Sequence, residues 1–230
     1  LNRRILKDKK TGEDFLPSTH GFQFSNGFKD GRYAGVFNHA NGLCGGMAFA
    51  IRDYHESANL PPQTDQVPTV ETNKVLLDFI AERQVDSVSQ KSVGNYFSMP
   101  KFQPNDVQKL FDKVKKDINE NHLSILGLIR AQSIFEITKN HQVGCYGFTE
   151  DSLGNVNCFV YDPGLPLPGS IDERDRIYFS FNYQNFTEVT CSHPGLGTIY
   201  YAFHPSYNYK VPPGITIDYS KDFLQKVQPT

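Results

Sequence analysis

The sequence predicts an α+β fold, because apolar residues recur at helical spacing through its first half and short apolar runs separated by turns fill its second half. The period changes at Leu123. Up to there the elements are read as helices, and beyond it as a mostly antiparallel sheet.

After a polar start, the stretch from Phe15 to Tyr33 is dense in Gly, Ser and Asn with interleaved aromatics, and it reads as irregular chain wrapping the body. Gly45 to Ala58 is helix-competent and is stopped by Pro61-Pro62. Val75, Leu76, Phe79 and Ile80 mark a second amphipathic helix, entered at Glu71-Thr72. Val107, Leu110, Phe111, Val114 and Ile118 form a third stripe behind Pro104, with lysines and aspartates on the opposite face. Such stripes are core, not sites. Leu123 to Ile129 reads as a buried strand, and 141–149 and 155–162 read as a hairpin around the turn Asp151-Ser152-Leu153-Gly154-Asn155. Further strands are expected at 175–181 and 197–203. Pro163, Pro166, Pro168 and Gly169 mark an exposed loop, and the tail from His204 to Pro213 is aromatic and proline-rich.

A chain of 230 residues can bury a sizeable core without disulfides or metals, and 18 Phe and 12 Tyr with no Trp suggest a core built largely from aromatic rings. The net charge of −2 argues against a nucleic-acid partner, since counterion release needs a clustered basic surface. Arg3, Arg4, Lys7, Lys9 and Lys10 do cluster, and a solvated terminal arm accounts for them. No apolar stretch approaches the roughly 20 residues needed to span a membrane, so a soluble chain, cytoplasmic or secreted, is expected. No cofactor is called for. No His pair has metal-ligand spacing beside an acidic ligand, and no Cys-x-x-Cys spacing links Cys44, Cys145, Cys158 and Cys191.

Cys44 is the most informative residue. It stands in Asn41-Gly42-Leu43-Cys44-Gly45-Gly46-Met47-Ala48, directly before a helix-competent run. At a helix N-terminus, unpaired backbone N–H groups and the helix dipole favour thiolate over thiol. Taken alone, a cysteine beside glycines is more often a small core residue. Further along, His141 opens the run Asn140-His141-Gln142-Val143-Gly144-Cys145, and a second run ends in Val160-Tyr161-Asp162-Pro163. Together they supply a thiol, an imidazole and a carboxylate in that order. If Cys44 is the nucleophile, the three other cysteines cannot all pair within the chain, and reduced, buried thiols are expected.

In this order and context the chain resembles the papain-like cysteine peptidase superfamily, and within it the compact bacterial members such as bacteriocin-leader-processing peptidases. The resemblance covers roughly residues 36 to 165: a cysteine at the head of a helix, two intervening helices, an apolar strand, a strand headed by His-x-Val and another ending in Asp-Pro. It implies one papain-like catalytic domain over residues 1–230, with a helical lobe over about 36–121 and a sheet lobe over about 122–218. A cleft would separate Cys44 from His141 and Asp162.

The roles follow from chemistry. An imidazole within reach of a thiol takes its proton, giving an ion pair that attacks a carbonyl and later protonates the leaving group. His141 is the candidate base, and Asp162 would hold its ring and stabilise its charged form. Papain-like enzymes usually add a glutamine upstream of the cysteine as an oxyanion donor; the resemblance sets Asn38 in that place, six residues before Cys44, with Asn41 and Gln23 as competitors. His20 and His39 remain open as alternative bases that precede the cysteine. Three functions are compatible with these residues. The first is a cysteine hydrolase acting on a peptide, isopeptide or amide, with a protein or peptide substrate. The second is a transglutaminase-like acyl transferase or glutamine deamidase with the same triad. The third is a catalytically silent binding domain that recognises partners through Tyr200, Tyr201, Phe203, Tyr207 and Tyr209.

The hairpin gives a geometric expectation. A register that sets His141 directly opposite Asp162 also sets Cys145 opposite Cys158, making the two cysteines buried neighbours.

Overall fold

The computed structural model describes residues 1–28, 42–88, 90–98, 100–165 and 171–214. They form a mixed α+β structure around an antiparallel sheet. In chain order the elements are β1 (Asn2–Ile5), α1 (Pro17–His20), α2 (Cys44–Glu56), α3 (Val70–Ser87), α4 (Gln90–Ser98), α5 (Pro104–Asn119), β2 (Ser124–Ile129), β3 (His141–Glu150), β4 (Asn155–Tyr161), α6 (Ile171–Arg174), β5 (Tyr178–Asn182), β6 (Thr190–Cys191) and β7 (Tyr201–Phe203). The strands run in the order β6-β5-β4-β3-β2-β7.

The ten-residue strand β3 organises the sheet. On one side it pairs with β4; on the other, β2 covers only its first half, from His141 to Cys145. The second half, from Gly147 to Glu150, is covered by β1. This corrects the expectation of a solvated N-terminal arm. An uncovered strand edge presents unpaired N–H and C=O groups, and the first residues of the chain satisfy them. Arg3 and Arg4 lie in β1 with exposed side chains, while Lys7 and Lys9 pair with Asp14 and Glu56.

The helix boundaries follow local chemistry. Thr69 caps α3 by accepting from the backbone N–H groups of Glu71 and Thr72, and the Thr72 hydroxyl accepts in return from the Thr69 N–H. Pro104 sits in the first turn of α5, with the Asp106 carboxylate accepting from the Gln103 N–H. The helix α4 was not among the expected elements, although Val93, Tyr96 and Phe97 stand at helical spacing.

Helices cover both faces of β2, whose six residues are all buried. Ile125 packs with Ala48 and Phe49 of α2, whereas Leu126 and Leu128 line an apolar space with Val107, Phe111 and Val114 of α5. Alternate residues of a strand point to opposite faces, so α2 and α5 lie on opposite sides of the sheet. The main core draws on helices and strands alike, and Phe15, Phe22, Phe24 and Phe28 of the irregular N-terminal stretch are buried in it. No helix among the described residues is long and apolar enough to cross a membrane.

The β3–β4 register differs from the expected one. The turn holds Asp151 N–H to the Asn155 carbonyl at 3.1 Å, so the first pair beyond it is Glu150 with Val156. A bulge at Tyr146 then shifts the ladder by one, and Cys145 faces Val160 and Gly144 faces Tyr161. The bulged residue is not left unpaired, because its carbonyl accepts from the Leu6 N–H at 2.9 Å. Cys158 therefore faces Phe148 and not Cys145. The two thiols are nevertheless buried neighbours, both free, and contact with Cys145 together with burial pushes the Cys158 thiol up from its ordinary value.

Candidate active site

Cys44 is the first residue of α2, His141 is the first residue of β3, and Asp162 directly follows the last residue of β4. Because β3 and β4 are antiparallel, the start of one and the end of the other share one end of the sheet. Continuing the ladder past Gly144 and Tyr161 sets Asp162 across from Val143. Its carboxylate thus meets His141 diagonally and not directly across the ladder as expected, a separation that long side chains span. The contact is close: His141 Nε2 lies 2.6 Å from Asp162 Oδ1. The same Oδ1 accepts from the Gly164 N–H at 2.7 Å, which fixes the carboxylate from its other side.

With Nε2 engaged by Asp162, Nδ1 is the ring nitrogen left for the sulfur of Cys44, and the two groups are near enough to favour each other's charged forms. Burial opposes ionisation of the thiol. The charge and hydrogen bond of His141, with the backbone N–H groups of Gln142 and Gly45, outweigh it and bring Cys44 below its ordinary value. Burial likewise opposes charge on the ring, yet Asp162 and Cys44 raise His141 to about 10. Asp162 is held below the usual carboxylate range: burial works against this, and His141 and the Gly164 N–H outweigh it. All three shifts favour a thiolate beside an imidazolium backed by a carboxylate. Cys44 and His141 are each 9 % exposed, so this pair sits largely out of bulk water, where attraction between charges is stronger.

The approach of α2 depends on small residues. A Cβ on Gly46 would lie 2.1 Å from the carbonyl oxygen of Ile80, so the helix can come this close to α3 only with glycine there. Gly42 has φ +73°, the left-handed conformation that a side chain strains, and it turns the chain into the helix. The residue preceding Cys44 offers no side-chain cap; instead the Gln84 Oε1 of α3 accepts from the Gly46 N–H at 2.8 Å.

Two polar residues of the site, Gln142 and Tyr96, stand outside the candidates named from sequence. Gln142 donates from Nε2 to the Ser87 hydroxyl at 3.0 Å, packing against Gly45. Tyr96 stacks edge-on to Phe203 at 5.1 Å, while its hydroxyl faces Cys44 and the Gln142 side chain. Burial and the neighbouring Cys44 charge push this hydroxyl far above its ordinary value, so it keeps its proton and remains a donor. Gln142 adjoins the candidate histidine, and Tyr96 lies on α4, where Val93, Tyr96 and Phe97 stand at helical spacing.

The remaining candidates are elsewhere. Asn38, Asn41 and His39 lie outside the described residues. Gln23 is engaged by the Gly21 carbonyl and by Arg174. His20 is held by the Leu16 backbone and Asp8, and His55 by the Asn121 carbonyl, so neither serves Cys44. Among the described residues no group of three or more His, Cys, Asp or Glu is arranged to hold a metal ion. Comparison of the chain with protein-family models, curated proteins and solved structures finds no match.

Proposed function

We propose that this chain is a cysteine hydrolase of the papain-like kind, acting on a peptide, isopeptide or amide bond through Cys44, His141 and Asp162. The observation that carries the reading is the His141 ring held by Asp162, with Nε2 and Oδ1 2.6 Å apart, beside Cys44 at the head of α2, where the thiol and the ring favour each other's charged forms.

In this reading the Cys44 thiolate attacks the substrate carbonyl carbon, and the electron pair of the C=O bond moves onto oxygen. As the tetrahedral intermediate collapses, the C–N bond breaks and His141 Nδ1–H protonates the leaving amine. A water then gives its proton to Nδ1 and its oxygen to the thioester carbon, releasing an acid and restoring the thiolate–imidazolium pair. Asp162 keeps the ring oriented and its charged form favoured. The N–H groups at the head of α2 supply fixed dipoles to the developing oxyanion, and Asn38 is the side-chain donor proposed to assist them.

The binding-domain reading draws less support, because part of the aromatic tail is engaged internally. The Tyr207 hydroxyl donates to Asp53 at 2.7 Å, and Phe203 packs against Tyr96. The test is iodoacetamide labelling of Cys44 across pH, followed by mass spectrometry of peptide and ubiquitin-like substrates with wild type and Cys44→Ala. Alkylation is expected to set in well below the roughly 8.5 of a free thiol. Hydrolysis is expected to follow a bell, rising as Cys44 ionises and falling near 10 as His141 loses the proton its leaving group needs. An ordinary alkylation profile at Cys44 would end the reading, and products joined to an amine, or glutamate made from glutamine, would replace hydrolysis by transfer or deamidation.

A further inference from the structure

The ladder between β3 and β4 fixes His141 relative to Asp162, but Cys44 arrives on a different element, α2, directly after Gly42 and Leu43. Besides the packing of α2 against α3, its position against the other two depends on what holds Gly42 and Leu43, the two residues before it. Asn26 lies in the irregular N-terminal stretch, far from all three in sequence. Its backbone N–H donates to the Pro163 carbonyl at 2.9 Å, immediately after Asp162. Its side-chain Oδ1 accepts from the N–H of Leu43, immediately before Cys44. The side chain also lies against Gly42, where an added Cβ would come within 2.2 Å of Asn26 Nδ2. The left-handed glycine thus leaves room for the amide that grips the next residue.

We propose that Asn26 is a positioning residue of this site: through one backbone and one side-chain hydrogen bond it ties Leu43, directly before Cys44, to Pro163, directly after Asp162. The inference rests on the reading of Cys44, His141 and Asp162 as a working triad. Asn26 touches none of the three side chains in these contacts; it acts on the backbone at each flank. The Leu43 N–H precedes the first turn of α2, where no side chain of the helix itself caps it, so the Asn26 oxygen also satisfies a donor that the helix leaves open. A shift of an ångström between sulfur and imidazole weakens their mutual stabilisation as ions, which makes thiolate fraction the sensitive readout.

The groups that face Cys44 are His141 on β3, the Tyr96 hydroxyl on α4 and the N–H groups of Gln142 and Gly45; those that face Asp162 are His141, Tyr161, the Gly164 N–H, His193 and Cys191. Asn26→Ala alters none of them. The experiment measures the rate of Cys44 alkylation by iodoacetamide from about pH 4 to 11, together with thermal unfolding, for wild type, Asn26→Ala and Asn26→Asp. With the tether lost in Asn26→Ala, the acid limb moves up by about one pH unit, an approximately tenfold slower alkylation at any pH on that limb. Asn26→Asp keeps the oxygen that accepts from Leu43. Its profile falls between the other two, even though its added negative charge by itself pushes a thiol upward.

An Asn26→Ala profile superposable on wild type overturns the proposal whatever happens to the melting temperature, since a merely structural role moves stability and not the limb. A shift in Asn26→Asp as large as in Asn26→Ala overturns it as well. The underlying reading fails separately and visibly: in that case wild-type Cys44 itself alkylates as an ordinary thiol.

Discussion

The two ends of α2 bury charge in opposite ways. At its head, Cys44, His141 and Asp162 form a line in which each group has few partners and its ionisation is set by its neighbours. Nine residues on, Asp53 is fully buried against the equally buried Arg83 of α3, with Arg83 Nε 2.7 Å from Asp53 Oδ2. Asp53 Oδ1 also accepts from the Tyr207 hydroxyl at 2.7 Å and the Lys210 N–H at 3.0 Å, while Arg83 donates to the Asn208 carbonyl at 2.9 Å. This second cluster fastens the C-terminal segment across α2 and α3. Its partners are redundant, and it contains no nucleophile. Burial of charge alone therefore does not mark a site; a reactive group whose protonation is controlled by one oriented partner does.

The comparison breaks most sharply at the head. His141→Ala is expected to lower turnover about as much as Cys44→Ala, by ~10⁴–10⁶-fold, because a triad acts as a unit. Asp162→Asn is expected to cost roughly tenfold to a hundredfold less. Steady-state kinetics on a cleaved substrate measures all three, and unfolding curves should place Cys44→Ala close to wild type, whereas His141→Ala also leaves the buried Asp162 carboxylate without its partner and loses stability. A His141→Ala variant that unfolds without losing turnover in its folded fraction would make the head a structural cluster like the other.

At the far end the expected effect is on stability. Arg83→Ala leaves a buried carboxylate without its cation and should cost about 3–5 kcal/mol in urea unfolding. The Cys44 alkylation profile of the folded variant should not move. A profile that shifts with it would mean the two ends of α2 act as one system.

The pH dependence sharpens the same contrast. Burial raises Asp53 to about 6 despite Arg83, Lys210, Tyr207 and their hydrogen bonds. The folded protein thus holds this proton more tightly than the unfolded chain, whose carboxyl stays near 3.8. The resulting stabilisation is fully present below about pH 4 and is lost as pH rises through 6. Relative to Asp53→Asn, which does not titrate, wild type should lose on the order of 3 kcal/mol between pH 4 and 7. The difference in unfolding free energy at several pH values checks the sign.

The smallest expected effect is steric. Gly46→Ala forces a Cβ against the Ile80 carbonyl and should destabilise by ~1–3 kcal/mol as α2 shifts away from α3. Because Gly46 lies two residues from Cys44, alkylation should slow in the same variant. Unchanged alkylation would show that the thiol tolerates movement of its helix.

Much was determined by the sequence itself. Helical spacing identified α3 and α5, strand-like runs identified β2, β3 and β4, and the order of thiol, imidazole and carboxylate named the three residues that the fold brings together. These signals are local: a periodicity needs only neighbouring residues, and a cysteine before a helix carries its own dipole argument. Tertiary structure alone decided the rest. Whether Asp162 shares a face with His141 depended on a bulge at Tyr146: without it the ladder would set Asp162 across from Gly144, and with it Asp162 stands across from Val143, the bulged residue's carbonyl being taken by Leu6, 140 positions away. The N-terminal strand formed because β2 is too short to cover β3, which no reading of residues 2–5 could contain. Gln142, Tyr96 and Asn26 joined the site for the same reason. Their partners come from other elements, and the free energy of a hydrogen bond between distant segments is written in no local pattern, only in the packing that brings those segments together.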